Sequence, residues 1–99
     1  MTGEWRDVDV ERLDEICARY GIAALEVFGS AARGQERPGG DLDLLYQLRP
    51  GARLGWEIAD LADELSDLFG RPVDLVSRSA INPRLRDRIL LEARLVYAA

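Results

Sequence analysis

Apolar and polar positions along the chain follow two periods, and each change of period marks an element. Over residues 8–20, Val10, Leu13, Ile16, Cys17 and Tyr20 recur at spacings of three and four, the repeat of a helix with one buried face. Asp7 or Asp9 is placed to cap its start, and Gly21 to close its end. Residues 22–29 (IAALEVFG) are short, apolar and partly β-branched, which predicts a buried strand. Residues 41–48 (DLDLLYQL) begin with acid and leucine in alternation, the period of a second strand. Residues 54–69 give the clearest helix. Leu54, Ile58, Leu61, Leu65, Leu68 and Phe69 form its apolar stripe, while Asp60, Asp63, Glu64 and Asp67 form its polar face. Residues 72–77 (PVDLVS) predict a third strand, with Pro72 at its first position, where a missing N–H does little harm. Asn82-Pro83 reads as an N-cap with proline at the first helical position. A last helix follows, its stripe carried by Leu85, Ile89, Leu90, Ala93 and Val96. The predicted order is helix, strand, strand, helix, strand, helix. That order suits an α/β (α+β) domain, a small mixed sheet flanked by helices.

The chain has 99 residues, which sets one domain spanning 1–99. Its loop-like stretches, 35–40 and 49–53, are short connections and not linkers. Cys17 is the single cysteine and histidine is absent. A Cys/His zinc site, a histidine general base and an internal disulfide are thereby excluded. A disulfide-free domain with a polar, acid-bearing N-terminus and no membrane-length apolar run predicts a cytoplasmic protein. The net charge of −5 disfavours direct nucleic-acid binding and suits a basic protein partner. All thirteen basic residues are arginine, so any phosphate held by a cationic side chain is held by arginine.

The residues that carry chemistry are Gly29-Ser30 and Asp41-Leu42-Asp43, spaced as G-S-x10-D-x-D. Alternate strand residues point to one face, so Asp41 and Asp43 project together while Leu42 and Leu44 face the core. Two close carboxylates repel and call for a cation, and hard oxygen donors suit Mg²⁺. Gly29 leaves room for a ligand, and the Ser30 hydroxyl with the free N–H groups of a turn over 31–34 makes an anion site. A short connection predicts antiparallel pairing of the first two strands. The helical crossover predicts parallel pairing of the second and third. Asp74 then arrives at the same end of the sheet as Asp41 and Asp43. Three carboxylates beside a phosphate-binding turn suit two-metal phosphoryl or nucleotidyl transfer. Arg33 is a candidate phosphate contact. Arg37, Arg49 and Arg53 read as solvated loop charges, and Arg78, Arg84, Arg86 and Arg88 as a solvated basic group around the last helix. Cys17 reads as a buried small hydrophobe. Glu26 reads as a surface residue of an apolar strand, and Trp5 and Trp56 as residues that pack on the domain or anchor a partner.

VFGSAARGQERPGGDLDLLYQL with the later VDLV resembles the minimal nucleotidyltransferase (MNT) antitoxins of the DNA polymerase β-like superfamily, along almost the whole chain. Ala31 and Gly40 depart from the larger residue and the serine or asparagine common at those positions in the family. The resemblance implies a polymerase β-type palm, with Gly29, Ser30 and Arg33 as nucleotide-binding residues. It implies Asp41, Asp43 and Asp74 as the catalytic carboxylates and ligands of two Mg²⁺ ions. It further implies transfer of AMP from ATP to a tyrosine of a HEPN-domain ribonuclease toxin, in a hetero-oligomer with that toxin. Alternatives are an antitoxin that neutralises by binding alone and a nucleotidyltransferase acting on a small molecule.

Overall fold

The computed structural model describes residues 5–29, 31–34 and 40–99. Helix α1 spans Val10–Tyr20, strand β1 Ile22–Phe28, strand β2 Leu42–Leu48, helix α2 Glu57–Phe69, strand β3 Val73–Ser77, helix α3 Pro83–Glu92 and strand β4 Arg94–Ala98. Short 3-10 turns occupy Trp5–Asp7 and Arg78–Ala80. The four strands form one mixed sheet in the order β3-β2-β1-β4.

The local signals act as expected at most ends. Asp9, not Asp7, caps α1, its carboxylate accepting from the Arg12 N–H at 3.2 Å. Gly21 and Gly70 close α1 and α2 in the left-handed conformation that a side chain disfavours. Asn82 caps α3 by accepting from the Arg84 N–H at 2.9 Å, with Pro83 behind it. Helix α2 starts three residues later than the stripe suggested, because the Gly55 N–H turns to the Glu57 carboxylate at 3.1 Å. Leu54 still packs on the core from the preceding loop.

Strand β4 is the element that the periodicity concealed. Val96, taken as part of the last helical stripe, lies in β4, which pairs antiparallel with β1. The helix stops at Ala93, where the backbone becomes extended with φ −64° and ψ 142°. Neither glycine nor proline stands there to announce the stop.

Helices α1 and α2 cover one face of the sheet. Leu13, Ile16 and Cys17 of α1 and Leu61, Leu65 and Phe69 of α2 meet Ile22, Leu25, Val27, Leu42, Leu44 and Tyr97 from the strands. Trp5 joins them from the 3-10 turn, so it belongs to the core. Burial pushes the Cys17 thiol up to about 12, which leaves it inert as a nucleophile. The two helices are also tied at their surface, where Tyr20 and Arg19 donate to Glu64 at 2.5 and 2.7 Å. Among the described residues no helix is long and apolar enough to cross a membrane.

The second face carries Asp43, Leu45 and Gln47 of β2, by the alternation that sends Leu42 and Leu44 to the core. The 3-10 turn at 78–80 lies against β2 here, and α3 lies against β1. Leu45 and Ile81 are buried outside the main core cluster. Helix α3 has no buried residue, so its predicted apolar stripe is only half-covered. Leu65→Ala should remove a fully buried side chain from the α2 contact and cost ~2–5 kcal/mol of stability, read by urea denaturation.

Candidate active site

Asp43 stands at the second position of β2, an internal strand whose two neighbours fix its surroundings. Across the antiparallel ladder it faces Phe28, and across the parallel ladder it faces Asp74. Both pairing directions are those expected from the connection lengths. Partner residues in adjacent strands point to the same face. Asp43 and Asp74 therefore project side by side from the second face of the sheet.

Asp41 precedes the strand by one residue, at its mouth, and is exposed. Its backbone is held from α2's far end. Arg71 is only 8% exposed. Its Nε donates to the Gly40 carbonyl at 2.7 Å, and its Nη2 reaches the Asp41 carbonyl at 3.5 Å. The Leu42 N–H donates to the Pro72 carbonyl at 2.8 Å, locking the start of β2 to the start of β3. The sequence reading missed Arg71. The one available signal was its place between the α2 stop and β3, which the parallel register sets beside Gly40 and Asp41.

Gly29 ends β1 directly beside Asp43. Its φ is +74°, and an added Cβ would lie 2.7 Å from Asp43 Oδ2. Both the backbone conformation and the carboxylate exclude a side chain there. The chain then makes the expected turn over 31–34, with the Arg33 N–H reaching the Gly29 carbonyl at 3.3 Å and the Gly34 N–H the Ala31 carbonyl at 3.2 Å. Ala31 plugs this turn into the core. Ser30, the expected hydroxyl donor, and the loop at 35–39 lie outside the described residues. The Arg33 guanidinium pairs with Glu92, at the end of α3, at 2.9 Å. Glu92 was also missed from the sequence, because the contact joins residues 59 positions apart in the chain.

Electrostatics single out Asp43. Its carboxyl is held above the usual carboxylate range, first by burial, then by the charges of Asp74 and Asp41, with Arg71 pulling the other way. Like charges on one face repel and spread. Among the described residues, no three acidic or cysteine side chains stand close enough to form a ready-made cation cage. Asp43 and Asp74 nonetheless stand side by side on this face, with Asp41 two residues before Asp43, and carboxylate oxygens are the donor type that magnesium-class cations take. Glu26, on the same face, is ion-paired with Arg78 at 3.1 Å and so is not a fourth free carboxylate. Trp56 is 95% exposed at the start of α2 and packs on no loop.

Two outcomes follow from this geometry. A raised folded pKa means that ionised Asp43 opposes folding above that pKa, and that the penalty fades as pH falls through it. Asp43→Asn should therefore raise Tm at pH 7 in chelator-treated buffer, and the gain should narrow as pH approaches about 4. A lower Tm at pH 7 would contradict the charge crowding. Gly29→Ala should cost ~1–2 kcal/mol from backbone handedness alone, with a further loss from displacing Asp43, measured by thermal or urea unfolding.

The family model of the nucleotidyltransferase domain matches residues 10–96. A relative named "Putative protein adenylyltransferase" from Methanocaldococcus jannaschii is 35% identical over 78 residues, covering 79% of this chain and 83% of its own. A solved structure described as "putative minimal nucleotidyltransferase" is 41% identical and superposes with a TM-score of 0.69, covering 86% of this chain and 88% of that one. The structure of the tri-AMPylated HEPN toxin of Shewanella oneidensis in complex with MNT antitoxin gives a TM-score of 0.59 at 17% identity, over 90% of this chain and 69% of that one, a likeness of fold. With the mixed sheet, the Gly29 turn and the paired aspartates of β2 and β3 in place, this chain belongs to the nucleotidyltransferase domain family, among its minimal members.

Proposed function

We propose that this protein is the antitoxin of a HEPN/MNT pair, and that it transfers AMP from ATP to a tyrosine of its toxin. The observation that carries the reading is the parallel register that sets Asp74 opposite Asp43, beside the side-chain-free Gly29. An isolated D-x-D on a strand is a surface pattern. A third carboxylate brought to it by a separate strand, next to a glycine turn, suits a nucleotidyl-transfer arrangement. The names of the similar proteins, a protein adenylyltransferase and an MNT antitoxin bound to an AMPylated HEPN toxin, support the protein acceptor.

Asp41, Asp43 and Asp74 would hold Mg²⁺. The fit rests on their donor chemistry and on the charge crowding at Asp43, which a divalent cation would relieve. Bound there, the cation would neutralise phosphate charge and stabilise the leaving oxygen. The chain's own residues do the rest. Gly29 admits the triphosphate against the backbone of the 31–34 turn, with Ser30 donating its hydroxyl. Arg33 leaves Glu92 for a phosphate oxygen. Asp74, the more exposed carboxylate of the strand pair, takes the proton of the acceptor phenol. The tyrosine oxygen then bonds to the α-phosphorus as the bond to pyrophosphate breaks. Arg71 acts on none of these atoms but fixes the level at which Asp41 is presented.

Intact-mass spectrometry of the partner toxin after incubation with this protein, ATP and Mg²⁺ should show one or more added AMP masses. The Asp41→Ala/Asp43→Ala double variant should fold and give none. A partner silenced in a stable complex with no added mass, and equally by the double variant, would replace transfer with occlusion.

A further inference from the structure

The second face of the sheet carries a feature that the transfer chemistry does not use. Beyond Asp43, where α3 crosses the sheet, Gln47, Arg78, Ser79, Arg86 and Leu90 line a concavity of ≈ 310 Å³. Gln47 is on the same face as Asp43, four residues farther along β2, or ~13 Å at the rise of a strand. Its nearer wall is set by the Arg78–Glu26 pair, since Glu26 lies opposite Leu45, only two residues past Asp43. The concavity thus opens on the sheet just inward of the aspartates.

Its side of the site is informative. Gly29 and its turn lie past the strand ends, and on the transferase reading a triphosphate held there would direct its leaving group away from the sheet. An in-line displacement needs the attacking group on the opposite side of the phosphorus. That side is the sheet face toward Gln47. On that reading the concavity would lie on the acceptor's path and not on the nucleotide's.

Its charge is equally informative. The chain as a whole carries −5, and the face next to the concavity carries Asp43 and Asp74. Arg78 is anchored by Glu26. Arg86 is exposed on α3 and has no ion pair or hydrogen bond among the described residues. A free guanidinium beside an anchored one, with the Gln47 amide and the Ser79 hydroxyl, offers bidentate recognition of a carboxylate. A nucleic-acid backbone, charged at every nucleotide, is disfavoured by a chain of net charge −5, whereas one or two carboxylates on a polypeptide suit this small positive spot.

We propose that this concavity, with Arg86 as its principal cation, is an acceptor-docking subsite that takes an acidic side chain of the modified polypeptide. In an extended acceptor that side chain lies about two to four residues from the modified hydroxyl, given the ~7–13 Å span. The assignment rests on the transferase reading for its direction, and the test separates the two.

Two fluorescein-labelled peptides serve as probes, each with a central tyrosine, one with a Glu-Glu pair about four residues away and the other with Gln-Gln there. Anisotropy should show the Glu-Glu peptide binding about tenfold more tightly than the Gln-Gln peptide. Arg86→Glu should abolish that preference, with its melting temperature and its affinity for ATP unchanged. In adenylylation assays the same substitution should raise KM for the Glu-Glu peptide without lowering kcat. Equal binding of the two peptides by the wild type, or a preference that survives Arg86→Glu, would overturn the assignment. So would Arg86-dependent binding of a labelled single-stranded RNA more tightly than the acidic peptide. Glu-selective, Arg86-dependent binding with no AMP transferred to any acceptor would uphold the subsite and sink the transferase reading.

Discussion

The register of β2 against its two neighbours is the constraint on which the rest depends. Antiparallel pairing with β1 puts Asp43 beside Phe28 and hence against Gly29. Parallel pairing with β3 puts it beside Asp74. A slip of one residue on either side would turn a carboxylate into the core and a leucine out to solvent. The register is therefore enforced by burial of Leu42, Leu44, Val27 and Leu75, residues with no chemistry of their own. The site is specified by its hydrophobic neighbours.

That arrangement has a cost in charge. Burial of Asp43, and then the charges of Asp74 and Asp41 near it, raise the free energy of the folded state. The fold offsets part of this through Arg71, whose guanidinium is buried beneath the mouth of β2 and binds the backbone on either side of the Gly40–Asp41 bond. The arginine's hydrogen bonds to described residues go to carbonyls. The carboxylates are thus left without a protein donor among the described residues, available to a ligand. An arginine paired directly to Asp43 would have stabilised the fold and occupied the site.

The two faces of the sheet divide the work. The face under α1 and α2 is closed and apolar, and it supplies the rigidity. The face with Asp43 is only partly covered, by α3 and the 3-10 turn before it. Leu91 at 82% exposure and Leu95 at 61% continue the apolar surface of α3 and β4 to the outside. The Arg33–Glu92 pair joins this side to the turn that follows Gly29, so the end of α3 and the turn over 31–34 are not mechanically independent.

Much of this was legible in the sequence. The helices and strands through residue 92 follow from period, caps and glycine stops. The pairing of Asp43 with Asp74 follows from connection lengths and alternation, which are local rules applied in turn; the close three-carboxylate cluster expected with Asp41 does not form among the described residues. What the sequence did not carry were pairings between distant residues. Strand β4 exists because β1 offers it an edge some 70 positions away in the chain, and its Val96 fits a helical stripe equally well. Arg71 and Glu92 look like ordinary surface charges until the register brings Gly40 and Arg33 to them. Trp5 and Trp56, equivalent by pattern, end at opposite extremes because only one of them meets the core. Periodicity determines which face of an element is buried. Which residues then share a surface is decided by packing, since contact free energy between distant positions leaves no trace in the local pattern.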